Sequence, residues 1–321
     1  MSQPLVSIIV LSFNRKEEIL DCLESLRKQT YARTETIVLD NGSKDGSAEA
    51  VAEHYPAAKL IRMPHNFGAW GARDIAICNS EGAYIFMIDS DAVAPEDALE
   101  KLVEKMERER SIGILQPMIK DLHTETVYSM GFGREAATEP CFRWQFHGCA
   151  ALIRREAYFK AGGFPHHYLV AGGEAYLAIP VIDAGYEVYY WPEVHVRHAL
   201  SPKERVKSHR LLMSNLHRMQ NNATYNPYIG RVWLDFAWKL LRYTKDATSS
   251  GYFKDLIPGL ALHVKEFFHT LCHLRRPISP QSQNLIDYLM VNRVTDRASY
   301  QRINRDRSYF ASRRRFALSA S

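Results

Sequence analysis

Two carboxylates separated by one residue, Asp89-Ser90-Asp91, stand directly after the apolar run Tyr84-Ile85-Phe86-Met87-Ile88. Hard divalent cations take oxygen ligands, and a diphosphate can complete the shell that two such carboxylates begin. The same triplet is also a common solvated turn, because aspartate is frequent at strand ends. Its placement favours the first reading: five apolar residues lead into it, and no lysine or arginine lies within several residues on either side. Three further segments follow apolar or strand-like runs with polar groups, at Ser12-Phe13-Asn14-Arg15, Asp40-Asn41-Gly42-Ser43 and Asn66-Phe67-Gly68.

These groups need elements that hold them level. The first half alternates β-branched runs with helical periodicity, the pattern of a parallel sheet covered by helices. Strands are predicted at residues 6–11, 36–39, 59–62 and 84–88. Helices between them carry Ile19, Leu20, Leu23 and Leu26, then Val51 and Tyr55, then Ala72, Ile75 and Ala76. Pro95 suits the first turn of a fourth helix bearing Leu99, Leu102 and Met106. In open α/β sheets ligands collect outside the carboxyl ends of strands, so Ser12, Asp40, Asn66 and Asp89 are predicted to converge on one crevice. From about residue 112 to 198 the pattern is mixed: a strand at 150–153, a Gly162-Gly163 turn, a helix at 175–183 and a strand at 186–191. Beyond His198 the periodicity is helical, and roughly the last twenty residues read as a basic tail with Arg302, Arg305, Arg307 and Arg313-Arg314-Arg315.

Composition narrows the function classes. A chain of 321 residues with 46% hydrophobic residues can bury one large core or a core domain with a helical appendix. A net charge of +5 from 41 basic and 36 acidic residues gives no reason to expect nucleic-acid binding. Five cysteines (Cys22, Cys78, Cys141, Cys149, Cys272) contain no CxxC pair, which argues against a disulfide framework and a structural zinc site and for a cytoplasmic protein. The run at 6–11 is too short for a signal-peptide core, and the best late apolar stretch, residues 256–274, is broken by Pro258, Lys265 and Glu266. No bilayer crossing is expected.

The segments Val6-Ser7-Ile8-Ile9-Val10, Ser12-Phe13-Asn14-Arg15, Leu39-Asp40-Asn41-Gly42-Ser43-Lys44-Asp45-Gly46-Ser47, Asn66-Phe67-Gly68 with Gly71-Ala72-Arg73, and Ile88-Asp89-Ser90-Asp91 resemble, in order and spacing, the successive signatures of family 2 glycosyltransferases of the GT-A fold. The resemblance covers roughly residues 5–200 and includes rhamnosyltransferase-like members. It implies an α/β GT-A fold with a mostly parallel central sheet flanked by helices. The catalytic domain would be residues 1–200, with about 1–115 binding the nucleotide sugar and 116–200 the acceptor. Residues 201–321 would form a helical C-terminal region.

The resemblance also implies roles. Asp40 would bond the nucleobase; Ser12, Asn14 and Arg15 would line the nucleoside, with Asn66, Arg73 and Ser90 near the nucleotide. Asp89 would face the ribose or a metal-bound water, Asp91 would bind Mn²⁺ or Mg²⁺, and His198 would be a third metal ligand, with His195 the weaker alternative. In Gly172-Gly173-Glu174-Ala175-Tyr176, Glu174 stands where the family starts a helix with its catalytic base. A carboxylate there is also simply favoured by the helix dipole. The family's usual second acid and later arginine are replaced by Tyr176 and Pro180, and Asp183 is the next acid on the segment.

The implied activity is inverting transfer of a sugar from a nucleoside-diphosphate donor to a hydroxyl of a glycan, lipid-linked or small acceptor, in polysaccharide or glycoconjugate synthesis. Two rivals follow from the residues. A nucleotidyltransferase would carry a glycine-rich loop after the first strand, and Ser12-Phe13-Asn14-Arg15 has none; a catalytically impaired sugar-nucleotide binder is supported only by Tyr176 and Pro180. His147 and Trp144, ahead of the strand at 150–153, lie near the acceptor part, although a buried aromatic is the commoner reading of Trp144. Trp233, Trp238, Phe253, Phe267 and Phe268, interleaved with basic residues, suggest peripheral contact with the inner face of the cell membrane, or packing on the catalytic part or on another copy of the chain.

Overall fold

The computed structural model describes residues 3–127, 138–166, 168, 171–199 and 207–305. The N-terminal half runs β1 (Val6–Ser12), α1 (Lys16–Arg27), β2 (Thr34–Asp40), α2 (Ser47–His54), β3 (Lys59–Arg62), α3 (Ala69–Cys78), β4 (Tyr84–Asp89), β5 (Ala92–Val93) and α4 (Ala98–Arg108). It continues through β6 (Ile112–Asp121), β7 (Cys141–Arg143), β8 (Ala150–Arg154), α5 (Arg155–Ala161), α6 (Gly173–Asp183) and β9 (Glu187–His198). Five helices close it: α7 (Lys207–Tyr225), α8 (Ile229–Ser249), α9 (Phe253–His269) with a π-helical turn at Thr270–Leu274, α10 (Pro280–Val291) and α11 (Arg297–Arg305). The basic residues from Arg307 onward lie outside the described residues.

The strands stand in the order β3-β2-β1-β4-β8-β6-β9-β5, with β7 paired to β9. β1 to β4 are mutually parallel, as their continuous apolar runs predict, but β8 inserts antiparallel between β4 and β6. The whole sheet is therefore mixed, and its parallel part is the half that builds the crevice. Register explains the convergence. Leu11 lies opposite Asp89 and Ser12 opposite Asp40, so the strand ends are level. The order also reverses at β1, between β2 and β4, which is where an open sheet leaves a crevice.

Two local departures have physical causes. Pro95 stands in the turn ahead of α4 rather than within its first turn, and its carbonyl accepts from Ala98 N. The last strand runs on to His198, well past Trp191, because the register with β6 slips between Pro117 and Met118 and the extra residues after Trp191 are absorbed there. Beyond that slip Val194, Val196 and His198 point inward while Glu193, His195 and Arg197 point out.

The main core sits on both faces of the sheet and recruits Leu285, Ile286 and Leu289 of α10 and Tyr300 and Ile303 of α11. Tyr300 stacks on Phe142 at 4.2 Å, and Arg297 bonds Glu109 and Glu187 at 2.6 and 2.7 Å. A second, smaller core joins Met213, Leu216 and Met219 of α7 with Val232 of α8 and Phe267 of α9. Among the described residues no helix is long and apolar enough to cross a membrane. The five cysteines are unpaired.

Candidate active site

The loops after β1 and β2 are laced together by short polar side chains. Asn41 N donates to Ser12 O at 2.8 Å, Asn14 N to Ser43 Oγ at 2.9 Å, Lys44 N to Asn14 Oδ1 at 2.8 Å and Arg15 N to Ser47 Oγ at 3.2 Å. Asn14 takes a left-handed backbone (φ 52°), a conformation asparagine tolerates better than most residues. Gly42 (φ +83°) cannot be replaced without its Cβ meeting His65 Cα at 2.8 Å, so the third loop presses on the second. Asp40 is buried; Oδ1 accepts from Ser43 N at 3.0 Å, while Oδ2 is sequestered without a protein partner, as is the hydroxyl of Ser12 beside it. Buried polar atoms are normally paired, so these two stand out at this end of the sheet.

Asn66 holds its own turn, accepting from Gly68 N at 2.8 Å, and is held by Asn41 Nδ2 at 3.0 Å. Asn41 also accepts from Phe67 N at 2.9 Å. This buried asparagine thus fixes the third loop on the second, a role that its place in an Asn-Gly turn did not disclose.

The aspartate turn is fastened on both sides. Asp89 N donates to Cys149 O at 2.8 Å, Ala199 N donates to Asp91 O at 2.8 Å, and Ala92 pairs with His198 in the short antiparallel ladder of β5 and β9. Ser90 is buried between the two acids. His198 Nε2 lies 3.0 Å from Asp91 Oδ1 and 3.7 Å from Asp89 Oδ2, and Arg15 reaches within 4.0 Å of Asp91 Oδ2. Burial pushes the Asp91 carboxyl up, but the hydrogen bond and charge of His198, with Arg15, outweigh it and hold the group below the usual carboxylate range. His195 points to the opposite side of β9, so strand alternation selects His198 for this cluster.

Two carboxylates and an imidazole make an oxygen-rich set of the kind that suits Mn²⁺ or Mg²⁺. Ligand atoms of Asp89, Cys149 and His198 also lie within 4.8 Å of one another. Burial pushes the Cys149 thiol far up, so it stands as a neutral packing neighbour rather than a thiolate donor.

Arg73 is buried and forms an ion pair with Asp89, with its guanidinium 5.0 Å over the Trp70 ring. Trp70 in turn packs against Gly148 and Gly173; a Cβ on Gly173 would collide with the indole. That close approach sets the start of α6 and therefore Glu174. Burial pushes the Glu174 carboxyl up, backbone N–H groups at the helix start and Arg73 pull it down, Asp89 adds to the rise, and the net direction is upward.

Glu174 faces a cavity of 630 Å³ shared with Trp144, His147, Asn221, Asp235 and Lys239. The His147 ring lies 6.4 Å from that of His198, between the acidic cluster and this cavity. Tyr176 is buried under Arg276 (4.9 Å), away from a second acid's role, and Asp183 accepts from Ser279 N at 2.9 Å at the far end of α6.

The segment before Glu174 is held from α7. Asn221 Nδ2 donates to Gly172 O at 2.9 Å and Oδ1 accepts from Tyr168 OH at 2.9 Å, while His217 bonds Ala171 O and stacks on Tyr168 at 4.1 Å. No local pattern links residues 217 and 221 to 172, so the sequence gives no sign of this brace.

Comparison with known proteins bears on the fold that carries these residues. Glycosyltransferase AglE of Haloferax volcanii is 25% identical over 217 residues, 62% of this chain and 68% of AglE. Other curated glycosyltransferases align over 18–44% of their own length, so the matched stretch is less than half of them. Mannosyltransferase PcManGT from Pyrobaculum calidifontis, solved with GDP-Man and Mn²⁺, superposes with a TM-score of 0.56 at 20% identity over 98% of this chain and 88% of that one. GalNAc-T7, solved with UDP, GalNAc and Mn²⁺, gives 0.59 at 17% identity over 70% and 48%. These likenesses establish the GT-A fold. Residues 7–161 match the family model for glycosyl transferase family 2, and this stretch holds the strand-end loops and the aspartate turn described above.

Proposed function

We propose that the protein transfers a hexosyl or deoxyhexosyl group from a nucleoside-diphosphate sugar to an acceptor hydroxyl, with inversion at the anomeric carbon. The observation that carries this reading is the meeting of Asp89, Asp91 and His198 beside the level strand ends of Ser12 and Asp40, with Glu174 across Arg73 and Trp70 from them. AglE is named a glycosyltransferase, and PcManGT and GalNAc-T7 carry a nucleotide and Mn²⁺; that company supports the same donor class here.

Each residue has a task in such a transfer. Asp40 Oδ2 and the Ser12 hydroxyl would receive the nucleoside, and Arg15 would stand by the diphosphate. Asp91, His198 and Asp89 would hold a divalent cation, which when bound neutralises charge growing on the departing diphosphate. An acceptor hydroxyl has a pKa far above neutrality, so attack needs a positioned base. Glu174 would take that proton as the oxygen attacks the face of the sugar opposite the leaving group, and one such displacement inverts the centre. Arg73 keeps Asp89 aligned. Trp144, at the edge of the cavity, offers a face on which an acceptor sugar stacks.

Turnover assays with UDP-, dTDP- and GDP-sugars, each with Mn²⁺, Mg²⁺ or EDTA, test the reading. Metal-dependent release of nucleoside diphosphate in the presence of a glycan or lipid-linked acceptor is expected. No donor binding and no turnover across the panel would overturn it.

A further inference from the structure

Helix α8 turns one side inward and leaves the other bare. Val232, Tyr243 and Ala247 are buried, whereas Trp233, Leu234, Trp238 and Leu241 are 45–73% exposed. Helix α9 repeats the pattern: Phe253, Ile257, Val264 and Phe268, at spacings of four, seven and four, form one stripe that is 40–77% exposed. Trp233 and Phe268 lie 5.9 Å apart, so the two stripes join into one apolar face across the hairpin. Soluble monomers rarely leave so many large apolar side chains together in water without a partner for them.

Charge identifies the partner. A helical step of 100° per residue puts Lys254 and Lys265 along one edge of the α9 stripe, and Lys245 among the exposed apolar residues of α8. None of these three lysines has an ion pair among the described residues, and all three are exposed. The nearby acids Asp235 and Asp246 are already paired with Lys239 and Arg242, and Glu266 accepts from Gln220 at 3.2 Å. Asp255 is the remaining exposed acid on the hairpin. A second copy meeting this face would set the lysine edge against its own likeness with little acid to answer it. An anionic lipid surface answers both features, because an amphipathic helix sinks its apolar side about 5–10 Å below headgroups that attract the basic rim.

We infer that α8 and α9 dock the protein on an anionic phospholipid surface. The opposite side of α8 supplies Asp235 and Lys239 to the cavity that holds Glu174. Docking therefore brings that cavity to within one helix, about 10–12 Å, of the headgroups.

The test is co-flotation of the full chain with phosphatidylcholine vesicles, with and without phosphatidylglycerol, and with no sugar nucleotide present, so that failure here is separate from failure of the transferase reading. The wild type floats with the mixed vesicles and much less with phosphatidylcholine alone. Lys254→Gln with Lys265→Gln lowers binding to the mixed vesicles by about fivefold per charge removed. Trp238→Glu with Ile257→Glu lowers it by roughly tenfold or more, while circular dichroism and thermal midpoint stay those of the wild type, since both side chains are more than half exposed. No flotation of the wild type, or equal flotation of all variants, overturns the inference. So does a wild-type dimer on gel filtration that these variants dissolve without any vesicle binding.

Discussion

Replacing Glu174 by glutamine keeps the shape and hydrogen-bonding capacity of the side chain and removes only its ability to take a proton. Loss of a positioned base costs about two to four orders of magnitude in the chemical step, or about 3–5 kcal/mol in the barrier. Stability should move the other way. Because burial raises the carboxyl's pKa in the folded protein, the fold favours the protonated form. That contribution is complete below the unfolded value of about 4.3 and is lost as pH rises through the folded value. At neutral pH the ionised Glu174 therefore costs stability, and Glu174→Gln should melt at the same temperature as the wild type or higher. The advantage should vanish as pH falls into the carboxylate range. The same shift places the acid limb of kcat/KM above the ordinary glutamate range, and that limb should disappear from the residual activity of the variant. Stopped turnover, thermal melts across pH and calorimetric donor titration read these three effects. A variant that melts well below the wild type at neutral pH and loses donor binding would make Glu174 a structural helix cap; near-normal turnover would refute its role as base.

Asn221→Ala removes one of two hydrogen bonds to the Gly172 carbonyl, which keeps Tyr176 N at 3.0 Å, and the shorter acceptor of the Tyr168 hydroxyl, which keeps His217 O at 3.4 Å, together costing about 1–3 kcal/mol in chemical denaturation. It should lower kcat more than it weakens the donor, because the loosened group is the segment before Glu174. Asp183→Ala removes one hydrogen bond to the start of α10, so it should cost at most about 1 kcal/mol and leave turnover intact. A large kcat loss in Asp183→Ala would move the base to that residue.

The N-terminal half is legible in the sequence because its local signals agree. Apolar runs such as Tyr84-Ile85-Phe86-Met87-Ile88 can only be buried strands, and the polar residues that end them must then emerge at one edge of a parallel sheet. The register of Leu11 with Asp89 and Ser12 with Asp40 follows from that logic. Helix boundaries such as that of α3, which Gly68 opens at φ 80°, are likewise local. What escaped lies in contacts between distant segments. The antiparallel insertion of β8 beside β4, the embrace of Gly172 by Asn221, and the contact of Trp70 with Gly173 each join residues tens of positions apart, and nothing in either partner's neighbourhood encodes the other. His198 is an intermediate case. Its distance from Trp191 hid the fact that both belong to one strand, yet once the strand is known, alternation alone sends His198 inward and His195 out. The return of α10 and α11 to the main core, separate from the small core of α7 to α9, was also invisible to helical periodicity, which marks an apolar face without saying what covers it.

The most direct test of the central claim is calorimetric titration of the wild type and Asp91→Asn with a nucleoside diphosphate, in Mn²⁺ and again in EDTA. Against the push of burial, His198 and Arg15 hold the Asp91 carboxyl down, so the ionised group stabilises the fold at neutral pH and the variant should melt somewhat below the wild type; the titrations are run well below both midpoints. The account predicts Mn²⁺-dependent binding in the wild type that is lost in Asp91→Asn and in EDTA. Binding of equal strength in all four titrations would contradict it.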